Sequence, residues 1–227
     1  SLMQKQTPEA VERFLDKLAS MGHESPLEHA YFTFGIEGVS RALLAQITRH
    51  RIASFSVQSQ RYVKSDCFEY VVPHTIEQNP QAKAVFIQAM ESAQRSYDEL
   101  AQILKQDRYE QLVAQGVDAE AAKKQAERGV LEDARFVLPN ACATKMMVSM
   151  NARSLLNFFH HRCCNRAQWE IRELATQMLL LVKQVAPTIF RKAGPGCVSG
   201  PCPEGSMSCG QAAQVRKYFA ELEQKNG

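Results

Sequence analysis

The sequence lacks any apolar run approaching the roughly 20 residues that a membrane-spanning helix needs. Its longest such runs resemble Met178-Leu179-Leu180-Leu181-Val182. The first residues also lack the basic, apolar and small-residue order of a secretory signal. Apolar residues make up 45% of the 227 positions and charged residues 22%, a balance typical of globular proteins. We therefore expect a cytoplasmic protein without membrane partners, long enough to bury a core.

A dense disulfide framework is not expected either. The seven cysteines are odd in number, and Cys163 and Cys164 are adjacent, which suits packing residues better than secreted cross-links. Cys197, Cys202 and Cys209 lie in a glycine-rich tail with four and six residues between them. Zinc sites more often show a two-residue gap, and no fourth ligand is evident nearby in the sequence. We expect no metal site, with a zinc or iron–sulfur site as the open alternative.

Acidic residues are absent from two stretches of the chain, between Glu37 and Asp66 and between Asp133 and Glu170. These stretches hold ten of the 27 basic residues and none of the 24 acidic ones, so the remainder of the chain is net acidic. Segregated charge of this kind indicates a positive site that attracts phosphate or another polyanion. One alternative is a nucleic-acid-binding protein without catalysis. The interrupted spacing of its basic residues and the lack of interleaved aromatic residues disfavour that alternative.

Hydrophobic periodicity and turn residues predict an α+β fold, with helices packed on a small mixed or antiparallel sheet. The expected strands are 30–36, 67–72 and 141–150, and 52–62 and 194–210 are expected to be loops. Helices are expected at 8–22, 39–50, 80–128 (broken near Gly116), 153–185 (broken near Cys163) and 211–224. The buried stripe of the 80–128 region is expected at Val85, Ala89, Leu100 and Leu104.

The residues that carry chemistry gather around a serine-rich loop. Arg49-His50-Arg51 lies where a predicted helix enters this loop, and Ser59-Gln60-Arg61 lies at its far end. Guanidinium groups offer planar pairs of donors that suit phosphate and carbonyl oxygens. A serine and neighbouring backbone N–H groups would complete an anion cradle. The alternative is an exposed basic helix end that interacts only with the helix dipole.

The order of these residues resembles a known family. Arg49-His50-Arg51, a seven-residue gap and Ser59-Gln60-Arg61-Tyr62 resemble the signature of flavin-dependent thymidylate synthases. Three more blocks follow the order of that family: Gly22-His23-Glu24-Ser25-Pro26-Leu27-Glu28-His29, Asn151-Ala152-Arg153-Ser154-Leu155-Leu156-Asn157-Phe158-Phe159 and Ala167-Gln168-Trp169-Glu170-Ile171-Arg172. The resemblance covers roughly residues 8–190. It suggests a synthase domain over 1–192, followed by a Cys/Gly-rich tail and final helix over 193–227.

The resemblance implies an FAD-dependent enzyme that methylates dUMP to dTMP. Its co-substrates would be 5,10-methylenetetrahydrofolate and NADPH, and it would form a homotetramer with shared active sites. The implied cofactor-binding residues are His23, Ser25, Glu28, Arg49, His50, Arg51, Asn151, Arg153 and Asn157. The implied nucleotide-binding residues are Gln46, Arg49, Ser59, Gln60, Arg61, Arg135 and Arg162. Val57 and Arg166 depart from residues common in the family, which often has a carboxylate or amide and a histidine there.

Arg162 is also singled out by its own neighbourhood. On one continuous helix it would share an apolar face with Leu155, Phe158, Phe159 and Trp169. A guanidinium on such a face is costly to bury without an anionic partner, and no acidic residue lies nearby in the sequence. The partner is then either a bound anion or a distant carboxylate. The resemblance places Arg162 beside uracil N3 as the catalytic residue. By contrast, we expect surface or capping roles for His160 and His161.

Overall fold

A computed structural model describes residues 7–60, 68–127 and 129–226. The chain forms two compact units, and each unit is made of segments that are not continuous in the sequence. Unit 1 comprises residues 1–35, 45–56 and 147–227, and unit 2 comprises residues 36–44 and 57–146. The helices within unit 1 are α1 (Pro8–Ser20), α7 (Ala152–Arg162), α8 (Trp169–Val185), α9 (Pro187–Phe190) and α10 (Ala212–Asn226). Those within unit 2 are α3 (His74–Glu77), α4 (Pro80–Ala114), α5 (Ala119–Ala126) and α6 (Val130–Ala134).

Three strands and one helix belong partly to each unit along the chain. They are β1 (Tyr31–Ser40), α2 (Arg41–Ile47), β2 (Ser54–Val57) and β3 (Ala143–Asn151). The strands form one sheet in the order β1-β3-β2. Thr33 faces Ser149 across β1 and β3 with 2.8 Å between their hydroxyl oxygens, and Glu37 faces Lys145 farther along, so the pair is antiparallel. Helices with a small antiparallel sheet confirm the predicted α+β class.

The helix ends are formed by capping residues and by a glycine with a positive φ angle. The backbone N–H of Ala10 donates to Thr7 Oγ1 at 3.3 Å at the start of α1. Gly22 has a φ of +68° just past its end, which an L side chain rarely adopts. Asn79 caps α4 by accepting from the backbone of Gln81 and Ala82. These starts and stops are where the sequence placed them, including the break between α4 and α5 near Gly116.

The core of unit 1 lies between α7, α8 and α9. Leu155, Phe158 and Phe159 of α7 are fully buried, as are Ile171 of α8 and Phe190 of α9. Phe190 stacks edge-on against Phe159 with 6.0 Å between ring centroids, and Phe159 does the same against Phe158 at 5.8 Å. Packed aromatic rings of this kind stabilise a core beyond the area that they bury. The row of rings fixes α7, the helix that carries many of the candidate site residues.

Four local expectations are corrected. Part of the predicted loop 52–62 is strand β2, where Phe55 and Val57 alternate with exposed serines. Within the described part of 67–72, Tyr70 forms only an isolated bridge to Cys142 rather than a strand. The break expected near Cys163 is confirmed, because α7 ends at Arg162 and α8 begins at Trp169, but the apolar face that Trp169 was expected to share with Arg162 is therefore not continuous. In α4 the buried residues are Met90, Tyr97 and Leu112, whereas Val85 is 68% exposed.

Candidate functional site

Unit 1 contains an open cleft of about 890 Å³. It lies between the segment that follows α1, the segment that follows α2, and one face of α7. The candidate residues that line it are Glu28, Arg49, His50, Arg51, Asn151, Arg153 and Asn157. The structure therefore brings together most of the flavin-binding candidates, although they come from three separate parts of the sequence.

Helix α7 has two different faces, which explains how it serves both the core and the cleft. Arg153, Asn157 and His161 recur every four residues and line the cleft, while Phe158 and Phe159 are buried. Asn151 caps the helix because its Oδ1 accepts from the backbone N–H of Ser154 at 2.8 Å. The side-chain amide nitrogen of Asn151 is therefore the group that can meet a ligand.

The Arg49-His50-Arg51 segment begins two residues after the end of α2 at Ile47. The first turn of α2 is set by Ser40, whose Oγ accepts from the backbone N–H of Leu43 at 3.0 Å. Arg49 and Arg51 are exposed and line the cleft. Neither forms an ion pair with any residue in the described ranges 7–60, 68–127 and 129–226. Three arginines and two glutamates line the cleft, so its lining keeps a net charge of about +1, and neither Arg49 nor Arg51 contacts either glutamate in an ion pair.

His50 lies between the core and the cleft. Its ring stacks edge-on against Phe158 with 4.9 Å between centroids. Burial, and then the charges of Arg162 and His161, lower the pKa of His50 from its ordinary 6.5 to about 4. His50 is therefore neutral at physiological pH, so its Nε2 accepts a hydrogen bond from Arg162 Nε at 3.1 Å.

Arg162 ends α7 and is half-buried behind His50 rather than at the cleft wall. Its described partner is the neutral imidazole, and no carboxylate in the described part of the chain forms an ion pair with it. The distant acid that the sequence left open is thus not found among those residues. Because the imidazole is neutral, it does not neutralise the positive charge of Arg162. The guanidinium can therefore interact with an anionic ligand.

Arg153 has the opposite environment. Its Nε donates to Glu24 Oε2 at 3.1 Å, and its Nη1 donates to Glu28. The pKa of Arg153 is raised, mainly by Glu28 and then by Glu24. A residue expected to bind the flavin is here paired with two carboxylates of the protein. Any ligand that uses Arg153 has to compete with both of them.

The remaining candidates lie away from the cleft lining. His23 and Ser25 are exposed in the segment after α1, and Gln46 is half-buried in α2. Ser59, Gln60 and Arg135 belong to unit 2, and Arg61 lies outside the described residues. Arg135 Nε donates to the backbone oxygen of Glu132 at 3.0 Å. Its guanidinium carbon lies 5.8 Å from the centroid of the Phe136 ring.

Several cleft residues were missed by the sequence reasoning. Glu24, Leu156, His160 and His161 all line the cleft. The signal for the histidines was helical spacing, because His160 and His161 follow Asn157 by three and four residues on the same face. The sequence instead favoured surface or capping roles for both. Glu24 carried no such signal, because its pairing with Arg153 joins positions 129 residues apart.

The residues after α7 are tied to the tail. Arg166 Nη1 donates to Glu204 at 2.8 Å and to the backbone oxygen of Met207 at 3.0 Å. Cys163 is buried as expected of a packing residue, and burial raises its pKa to about 12.

In the described part of the chain, no three histidine, cysteine or acidic side chains are arranged to hold a metal ion. No described helix is both long enough and apolar enough to cross a membrane.

Comparison with known proteins identifies the family. Residues 1–188 match the family model described as thymidylate synthase complementing protein. A flavin-dependent thymidylate synthase of Clostridium tetani is 54% identical over 93% of this chain and 82% of the relative. Relatives with the same name from Geobacter sulfurreducens (53% identity, 97% of this chain, 86% of the relative) and Pyrococcus furiosus (39%, 93% and 81%) match similarly. The chain therefore belongs to the family of flavin-dependent thymidylate synthases.

Proposed function

We propose that this enzyme converts dUMP to dTMP by reductive methylation, with FAD held in the cleft of unit 1. The carbon would come from 5,10-methylenetetrahydrofolate and the reducing equivalents from NADPH. The observation that carries this proposal is the pair of exposed cleft arginines, Arg49 and Arg51, which have no acidic partner among the described residues. Such a pair suits a ligand that carries phosphates.

The donor set of the cleft fits a flavin dinucleotide. Its volume of about 890 Å³ falls within the range of about 300–1,000 Å³ usual for small-molecule sites. Arg49 and Arg51 can each bind phosphate oxygens through two parallel N–H groups. The amide nitrogen of Asn151 can donate to a carbonyl oxygen, and the side-chain amide of Asn157 can both donate to a carbonyl oxygen and accept from a ring N–H. A bound flavin would supply the hydride transfer, which no protein side chain provides.

We propose that Arg162 is the catalytic residue beside the uracil ring. Its uncompensated positive charge would stabilise the anion that develops when the ring becomes nucleophilic at C5. The neutral His50 would hold the guanidinium through its Nε at 3.1 Å while leaving both terminal nitrogens for the nucleotide. The neighbouring thiol of Cys163 is a poor nucleophile, because its raised pKa keeps it protonated. This supports activation by charge rather than by cysteine addition.

We assign the phosphate and sugar of dUMP to Ser59, Gln60 and Arg61. We assign further contacts with the nucleotide to Gln46, Arg49 and Arg135. We further propose that several subunits contribute to each site in a homotetramer. Apolar side chains exposed on unit 1, such as Phe14 (59%), Tyr31 (67%) and Val185 (72%), support burial against other chains. Light scattering on the purified protein should give four times the chain mass, and a monomer would contradict the assembly.

Two further proposals concern the location of the enzyme in the cell and its division into domains. We propose a cytoplasmic enzyme, because its substrates are those of nucleotide synthesis. We also keep a division into a synthase domain, 1–192, and a tail with the final helix, 193–227. A proteolytic cut near residue 192 that released a folded 1–192 fragment would support that division. Rapid loss of the whole chain without a stable fragment would contradict it.

The absorption spectrum of the purified protein tests the central proposal. We expect a flavin spectrum that bleaches on addition of NADPH, and dTMP formation when dUMP and methylenetetrahydrofolate are supplied. A colourless protein that binds DNA with a steep salt dependence would instead support the nucleic-acid-binding alternative. The Arg49→Gln variant is the matched test of the site, because it removes one charge from the cleft and keeps a polar side chain.

A further inference from the structure

A second, much smaller cavity lies where the tail meets the end of α7. It measures about 20 Å³, and the residues that line it include Cys164, Cys197, Cys202 and Cys209 together with His160. A space of roughly 10–15 Å³ is enough for one water-sized particle, so this cavity has room for a single ion. None of these cysteines is used by the proposed methylation chemistry.

The fold supplies the ligand that the tail alone does not provide. Cys197, Cys202 and Cys209 belong to the segment between α9 and α10, and Cys164 comes from the connection between α7 and α8. All four are free thiols. Four thiolates set tetrahedrally around one ion are the preferred ligands of structural zinc. We propose that Cys164, Cys197, Cys202 and Cys209 bind one zinc ion.

The segments that carry these thiols are held in place by neighbouring arginines. Arg216 of α10 donates from Nε to the backbone oxygen of Cys197 at 2.7 Å and from Nη2 to that of Gly200 at 2.8 Å. Arg166 holds the part of the tail between Cys202 and Cys209 through Glu204 and Met207. The backbone around the cavity is thus positioned by the protein itself, which lowers the entropic cost of gathering the ligands.

The four cysteine side chains lie around the cavity but are not in the tetrahedral positions of a zinc site. No three of the described histidine, cysteine and acidic side chains yet stand in a metal-binding arrangement. Cys202 is half-buried and Cys209 is exposed, so both have room to turn inward. As each Zn–S bond forms, the thiol gives its proton to water, and the attraction of the cation draws the sulfur atoms together.

The site would also stabilise one wall of the cleft. His160 lines both the cleft and the cysteine cavity. A Cβ on Gly196 would lie 2.6 Å from His160 Cε1 and 2.7 Å from Pro203 Cγ, so the tail packs closely on the histidine at this glycine. Zinc at the four thiols would fix the tail against α7 at this point. The proposal does not depend on the methylation chemistry, because metal content is measured without substrate.

Elemental analysis of the full chain, purified with a reductant and excess zinc and then dialysed, tests the proposal. The matched pair of variants is Cys164→Ala and Cys163→Ala, adjacent cysteines of which only Cys164 lines the cavity. We expect about one zinc ion per chain in the wild type and in Cys163→Ala. Zinc affinity in Cys164→Ala should fall at least about 100-fold, beyond the 10–100-fold loss seen for outer-shell partners.

Cys209→Ser provides a second variant at an exposed position, for use if Cys164→Ala does not fold. It should lose zinc to the same extent. Cobalt in place of zinc should give the visible bands of a tetrahedral thiolate site in the wild type and not in Cys209→Ser. Zinc below stoichiometry in the wild type, equal zinc in both members of the matched pair, iron with inorganic sulfide, or a disulfide within this set in reduced protein would each overturn the proposal.

Discussion

The two acid-free basic stretches have similar compositions but acquire different partners in the fold. In the first stretch, Arg49 and Arg51 face the cleft without an ion pair to any described residue. In the second, Arg153 pairs with Glu24 and Glu28, and Arg166 pairs with Glu204. These three acids lie outside both stretches. A local lack of acidic residues therefore predicts an uncompensated charge only where the fold brings no acid from elsewhere.

Arg162 is the exception within the second stretch. It meets His50 of the first stretch, and burial beside Arg162 keeps that histidine neutral. The two stretches therefore join through a hydrogen bond that adds no negative charge. The full cation remains for an anionic ligand, as it does at Arg49 and Arg51. Under the proposed function, the partner of each arginine, rather than the number of arginines, distinguishes the groups that would bind the nucleotide and the flavin.

Removing Arg162 should give the largest effect. Arg162→Ala should lower kcat for dTMP formation by about 100- to 1,000-fold, the usual loss for one group that stabilises a developing charge. Flavin content should stay unchanged, because Arg162 does not line the cleft. Turnover assays and the flavin-to-protein absorbance ratio measure the two quantities. Wild-type turnover in this variant would show that its uncompensated charge has no part in the reaction.

Arg166→Ala is the matched control for that experiment. It removes another guanidinium four residues away, but one that is already paired with Glu204. We expect kcat to change by no more than about threefold, in line with the roughly 0–1 kcal/mol of an exposed ion pair. Losses of similar size in both variants would remove the distinction between paired and unpaired arginines.

Replacing an arginine of the cleft should weaken FAD binding more when that arginine has no ion pair than when it has one. Arg49→Gln should weaken FAD binding by about 10- to 100-fold, since charged hydrogen bonds contribute about 1.5–3 kcal/mol each. Arg153→Gln should weaken it less, because Arg153 is already engaged by Glu24 and Glu28. Titration of the flavin-free protein followed by fluorescence gives both dissociation constants. A larger loss for Arg153→Gln would show that flavin displaces the carboxylates from Arg153.

The bond between the two stretches should make stability depend on pH. The pKa of His50 falls from 6.5 to about 4 on folding, so the unfolded chain binds more protons between these values. The contribution is therefore fully present above pH 6.5 and is lost as pH falls towards 4. Because the ring is half-exposed, we expect a loss of about 1–2 kcal/mol, less than the whole shift implies.

Urea unfolding at about pH 7 and about pH 4.5 measures this loss. His50→Gln is the control, because a glutamine oxygen can accept from Arg162 without titrating. The lowered pKa of His161 acts equally in both proteins and cancels in the comparison. An equal loss of stability in wild type and variant would contradict a neutral His50 as the partner of Arg162.

The predictable parts of the fold are the helix ends, which depend on residues close together in the sequence. Thr7 and Gly22 mark the two ends of α1 through a hydrogen bond and a φ angle respectively. The Ser54–Val57 strand was missed because four residues give a weak alternation and serine suggested a loop. The stripe of α4 was placed on the wrong face near Val85, because apolar side chains occur on both faces of that helix.

The site was predictable only in part, for a related physical reason. The family resemblance brought Arg49, Asn151 and Asn157 to notice, and the fold places all three in one cleft. Long-range contacts were beyond the sequence. Neither the pairing of Arg153 with Glu24 nor the approach of Cys164 to the tail has a local pattern, since each joins positions more than 30 residues apart.

The smallest expected effect concerns Glu24. Glu24→Gln removes one of the two carboxylates at Arg153 without changing the size of the side chain. Part of the charge of Arg153 then becomes available, and FAD should bind about two- to fivefold more tightly, consistent with the modest strength of an exposed pair. The gain should disappear in high salt, because exposed charges are screened. Weaker binding at both salt concentrations would mean that Glu24 orients Arg153 for the flavin rather than competing with it.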